Sequence, residues 1–153
     1  MTPVAADADR LDRALAAYAD CYVSLTPETV GDLRALVTPD VHFRDPFNDV
    51  RGADHVVRIM AAMFEDADDV RFEMLERFRT GDRAVLLWRF WFRPKRLKLP
   101  EPWVVDGTSV LRLTPDGLVA EHLDHWDAAG QFYERLPLLG SLIRLVKRRL
   151  KVD

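Results

Sequence analysis

Val41-His42-Phe43-Arg44-Asp45-Pro46-Phe47-Asn48-Asp49-Val50-Arg51-Gly52 is the stretch around which the rest of the chain arranges itself. Its start alternates apolar and polar residues through Arg44, the pattern of a short half-buried strand ending at Asp45, and Pro46 to Gly52 reads as a turn-rich loop. Upstream, Leu11, Ala14, Leu15, Tyr18, Cys21, Tyr22 and Leu25 recur at intervals of three and four, which predicts an amphipathic helix over residues 8–24. Thr26-Pro27-Glu28 then supplies a cap, a first-turn proline and a first-turn acid for a short second helix. Its stripe is Val30, Leu33, Leu36 and Val37, and Thr38-Pro39 stops it. Downstream, Val56, Val57, Met60, Met63 and Phe64 predict a third helix with those residues inward.

From Asp69 the period changes to two. Val70, Phe72 and Met74 alternate with polar residues, and Thr80-Gly81-Asp82 separates this run from the next, the signature of a hairpin. Ala84, Leu86, Trp88, Phe90 and Phe92 are apolar at every even position, with partly apolar neighbours, so this strand is expected in the middle of a sheet. After a basic, proline-bounded loop, Trp103 to Leu113 forms a long strand. Thr114-Pro115-Asp116-Gly117 turns it and Leu118 to Trp126 returns, giving a largely antiparallel sheet. Residues 131–153 form a C-terminal helical extension, broken at Pro137 and Gly140, with a stripe of Leu138, Leu139, Leu142, Ile143, Val146 and Leu150.

A chain of 153 residues fits one domain, residues 1–153, with room for a substantial core. No uncharged run is long enough to span a bilayer, and Met1 to Arg10 lacks the pattern of a secretory leader. The lone Cys21 forms no internal disulfide and reads as a small apolar filler, so a cytoplasmic location is expected. A net charge of −3 argues against a nucleic-acid binder, which needs a cationic face. Cations nevertheless cluster at Arg93, Lys95, Arg96 and Lys98, and again at Arg144, Lys147, Arg148, Arg149 and Lys151, where they suit a solvated loop and a helix end.

This order of elements, with Phe43-Arg44-Asp45-Pro46 at the end of the short strand, resembles the nuclear transport factor 2-like superfamily. The Val41 to Gly52 passage is similar to the Asp-Pro segment of ketosteroid isomerases and SnoaL-like cyclases. The resemblance implies an α+β cone-shaped half-barrel, a curved, mostly antiparallel sheet wrapped around three N-terminal helices, with the C-terminal helix as an addition. It implies an apolar pocket at the open end, with Asp45 at the place of the isomerases' proton-transferring base. Tyr18 matches the tyrosine that donates to the oxyanion, with Tyr22 one turn on as its competitor. The isomerases' second donor, a protonated aspartic acid, falls on Ser109, and a serine does not replace a carboxylic acid held neutral in an apolar site.

The last strand carries what is different. Six of the seven residues from Glu121 to Asp127 are ionisable or hydrogen-bonding, and His122 and Asp124 share a face with Ala120 and Trp126. Those positions are mostly apolar in the isomerases, whereas SnoaL-like cyclases and related dehydratases and epoxide hydrolases place Asp and His inside the cone. Asp45, His122, Asp124 and Tyr18 are therefore the expected catalytic groups, and Trp88, Phe90, Trp103, Trp126, Tyr22 and Met60 the expected ligand-binding wall. The expected protein is a cofactor-independent, metal-free isomerase or cyclase acting on a small hydrophobic molecule. A non-catalytic binder of an apolar ligand and a dimeric interaction module stand beside it. A homodimer through the sheet face is expected. The last helix is read as a lid or a subunit contact ahead of a membrane contact through its basic residues.

Overall fold

The computed structural model describes residues 3–152. Met1, Thr2 and Asp153, which belong to the stretch read for a leader and to the C-terminal extension, lie outside the described residues. Six strands form one sheet in the order β2-β1-β6-β5-β4-β3. They are β1 (Val37–Arg44), β2 (Asp49–Arg51), β3 (Ala67–Thr80), β4 (Arg83–Pro94), β5 (Trp103–Leu113) and β6 (Val119–Trp126). All neighbours run antiparallel except β1 and β6, which are parallel. Register shifts at Asp68/Arg71 and Met74/Glu76 mark bulges in β3, the device that bends a long strand. β4 is flanked on both sides, by β3 and β5, although it lies second from the edge.

Helix α1 (Pro3–Val23) and helix α2 (Ala53–Asp66) close the concave side. Leu15, Tyr18, Ala19 and Tyr22 of α1 and Val56, Val57 and Met60 of α2 are buried with Phe43, Leu86, Leu111 and Val119 of the sheet. No side chain among the described residues caps the start of α2. At its other end Lys95 Nζ donates to the carbonyls of Phe64 and Glu65 (3.2 and 2.7 Å), so one cation of the basic loop satisfies orphan helix carbonyls.

Three sequence expectations are corrected. The second helix is a six-residue 3-10 turn, Val30–Ala35, which is as much helix as a short segment containing Gly31 sustains. Thr38 and Pro39 do not end it but lie inside β1, and the ladder to β6 is irregular between Val37 and His42, where Pro39 has no N–H to offer. The loop after Pro46 contains β2, which pairs back on β1 from Asp49 to Arg51. The C-terminal extension divides into α3 (Ala128–Gln131), a 3-10 turn (Tyr133–Arg135) and α4 (Leu139–Leu150). No helix among the described residues is long and apolar enough to cross a membrane.

Candidate functional site

The antiparallel register sets the site in rows. Ala84, Leu111 and His122 lie across β4, β5 and β6, with Phe43 of β1 beside His122. The next row is Leu86, Ser109 and Asp124, and the one after is Trp88, Gly107 and Trp126. Because a strand alternates its side chains, these residues share the concave face. Gly107 matters because a Cβ there would overlap the Trp88 ring, so the indole lies over the bare backbone and reaches the neighbouring row.

There it begins a continuous chain of hydrogen bonds. Trp88 Nε1 donates to Ser109 Oγ (2.8 Å), and Ser109 Oγ donates to Asp124 Oδ1 (2.5 Å). From the other side, His122 Nε2 lies 2.7 Å from the same Asp124 oxygen, and Tyr18 Oη lies 2.8 Å from His122 Nδ1. A carboxylate only accepts, which assigns the hydrogen of a neutral His122 to Nε2 and makes Tyr18 the donor to Nδ1. Tyr22 Oη stands 3.4 Å from Tyr18 Oη and completes the sequence. Every donor then points toward one oxygen of Asp124. Oδ2 receives no hydrogen bond among the described residues, and Asp124 lines the cavity.

That cavity has a volume of about 420 Å³. One wall is aromatic: Phe72 stacks on Phe90 (centroids 4.4 Å apart) and Phe90 on Phe92 (4.9 Å). Asp45, Asn48, Ser109, His122 and Asp124 provide polar groups in an otherwise largely apolar lining. Phe132, from the corner after α3, also lines it, packed edge-on against Trp126 and Trp103.

The expected site residues are thus brought together unevenly. Asp45, His122 and Asp124 all line the cavity, as do Trp88, Phe90, Trp126, Tyr22 and Met60. Trp103 does not. It is buried beside Phe92 and Phe132, with the Arg135 guanidinium 5.7 Å from its ring centre, and supports the wall from behind. Tyr18 is not in the wall either, since its hydroxyl is held on His122 beneath it, and Tyr22 is the phenol that reaches the cavity. Asp45 Oδ1 is occupied by its own loop: the N–H groups of Phe47 and Asn48 donate to it at 2.7 Å and the Asn48 amide at 3.1 Å. Sequence reading passed over Asn48, Ser109 as a hydrogen-bonding group, and Phe132. The Asp-Pro-Phe-Asn spacing of an Asx turn was the available signal for the first.

Burial pushes the phenols up from their ordinary value of about 10, Tyr18 strongly and Tyr22 well above it, with Tyr18 itself the next cause for Tyr22. An acid whose folded pKa is raised contributes stability that is complete below its unfolded pKa and is lost as pH rises beyond it. The midpoint of thermal unfolding should therefore fall above about pH 10. Tyr22→Phe should flatten that alkaline decline, and an unchanged slope in melts followed by circular dichroism would refute the assignment.

The fold, with helices closing one side of a bent sheet around an apolar cavity, is that of the nuclear transport factor 2-like cones. Residues 4–122 match the SnoaL-like domain, and the chain belongs to that family. No curated protein matches the sequence. Among solved structures, a protein of Catenulispora acidiphila with a ketosteroid isomerase-like fold, in complex with trimethylamine, superposes with a TM-score of 0.65 at 17% identity. It covers 77% of this chain and 88% of its own. An epoxide hydrolase of M. tuberculosis, of the LEH-like kind, gives 0.63 at 17% identity over 92% and 97%. A Jannaschia protein assigned as a SnoaL-like polyketide cyclase gives 0.64 at 18% over 80% and 88%. Likenesses at such identities speak for the fold alone.

Proposed function

We propose that this protein is a cofactor-independent acid–base enzyme that moves a proton on a flat, apolar carbonyl compound, with Asp124 as the proton-transferring group. The observation that carries the reading is the asymmetry of Asp124. One carboxylate oxygen is fixed by Ser109 and His122, while the other has no donor among the described residues and belongs to a cavity-lining residue. A base held in orientation but left with a free lone pair is what proton abstraction requires. Asp124 Oδ2 takes the proton next to the carbonyl, the electron pair moves onto the carbonyl oxygen, and the Tyr22 hydroxyl, kept protonated by burial, donates to that oxygen. Return of the proton to another carbon of the same framework gives an isomer.

Asp45, the base that the resemblance implies, contributes to the same wall, but three donors hold its Oδ1 and the Asn48 amide also reaches Oδ2 at 3.1 Å. Its role in this reading is to shape the loop that carries Phe47 and Asn48. The stacked phenylalanines favour a planar ring system. Fold relatives that include an epoxide hydrolase and a protein assigned as a polyketide cyclase are consistent with chemistry inside such a cone.

The test is hydrogen exchange. Bicyclic and tricyclic ketones incubated with the protein in D2O should gain deuterium next to the carbonyl, read by NMR, faster than in buffer. Tight binding of those ketones without exchange would replace the enzyme by a ligand carrier.

A further inference from the structure

Helix α4 is fastened to the rest of the protein along one side. Gly140 is buried, Arg144 Nη1 donates to the Glu134 carbonyl (3.2 Å) and Lys147 Nζ pairs with the Glu134 carboxylate (2.7 Å). At 3.6 residues per turn, Leu139, Leu142, Val146 and Leu150 form a stripe turned away from that attachment. Its side chains face water: Leu142 is 59% exposed, Val146 49% and Leu150 76%. Leu138 before the helix and Val152 after it are exposed too, so the apolar surface continues past both ends. No residue of α4 is part of the cavity wall.

The charges beside the stripe indicate what covers it. The helix contains no acid, and Arg144, Lys147, Arg148, Arg149 and Lys151 follow one another at its C-terminal end. Arg148, Arg149 and Lys151 have no carboxylate partner among the described residues. A second copy laid stripe against stripe would cover the leucines but bring no carboxylate to these cations, because the helix contains no acid. An anionic surface with an apolar interior satisfies both halves of the helix at once.

We propose that α4 docks this protein on an anionic phospholipid bilayer, lying in the plane of the interface with Leu142, Val146 and Leu150 in the acyl boundary and Arg148, Arg149 and Lys151 among the headgroups. Phe132 of the cavity wall lies in the segment leading directly into α4, so docking brings the cavity close to the lipid phase.

The experiment is flotation of the whole protein with phosphatidylcholine vesicles, pure or containing about one third phosphatidylserine. Binding to the mixed vesicles that weakens with added salt is expected. Arg148→Ser with Arg149→Ser should reduce partitioning roughly 25-fold, about fivefold for each charge. Leu142→Glu should abolish it, with circular dichroism unchanged because every altered residue is exposed. Absence of binding to the mixed vesicles, or binding that Leu142→Glu leaves intact, overturns the proposal. So does a doubled mass in lipid-free solution that Leu142→Glu returns to that of one chain, since the stripe would then belong to a second copy.

Discussion

Asp124→Asn is expected to lower the rate of ketone hydrogen exchange by roughly two to four orders of magnitude, the range that a positioned general base supplies. The substitution is mild in geometry. The amide oxygen can still accept from Ser109 Oγ and His122 Nε2, so the rows of the sheet and the affinity for the ketone should be retained. What disappears is the basic lone pair on the second oxygen. Asp45→Asn provides the contrast, because the asparagine oxygen can still take the N–H donors of Phe47 and Asn48, and exchange should fall less than tenfold. The opposite ranking, with Asp45→Asn silencing exchange and Asp124→Asn tolerated, would move the base to the loop and refute the assignment to β6.

The largest loss of stability is expected from Phe43→Ala. Phe43 is wholly buried on β1 and its ring lies 4.9 Å from the imidazole of His122, so it both fills the core and holds the histidine in place. Truncation removes a large apolar side chain and leaves a void that close-packed strands cannot collapse, which costs about 3–5 kcal/mol. For a chain of this length that corresponds to a fall in the unfolding midpoint on the order of 10 °C. Phe47→Ala, at the cavity and 51% exposed, should shift the midpoint by at most a few degrees, roughly a tenth to a third as much, because little apolar surface is removed from the core. Equal shifts in the two variants, measured by calorimetry, would mean that the packing around His122 is not what stabilises the cone.

Elements with a sustained period were legible from residue types alone. Ala84 to Phe92 and Trp103 to Leu113 alternate for long enough that no helix competes, and α1 and α2 carry complete apolar stripes. Val30–Ala35 was harder, since six residues with an internal glycine fit a helix and a tighter turn equally well. β2 was invisible because Asp49, Val50 and Arg51 acquire strand geometry only by pairing with β1, a tertiary effect that outweighs local preference. In the site, His122 and Asp124 stood out as polar residues on a buried face. Ser109 did not, since its partner becomes apparent only when the register of β5 on β6 sets it opposite Asp124. The absence of Trp103 from the wall, and of the expected catalytic Tyr18 from the groups that reach the cavity, has the same origin: sequence gives the face of a strand or helix but not the depth at which its side chain ends.

The string of hydrogen bonds from Tyr22 to Asp124 has two self-consistent settings. With a neutral His122, Tyr18 spends its hydrogen on Nδ1 and Tyr22 can turn its own toward Tyr18. When a ligand oxygen stands at the wall, Tyr22 turns its hydrogen to that oxygen instead, while Tyr18 goes on donating to Nδ1. The two phenols therefore work as a turnstile. A hydrogen that the empty wall turns inward thus swings out to a guest by rotation about one C–O bond, without any side chain having to leave its place.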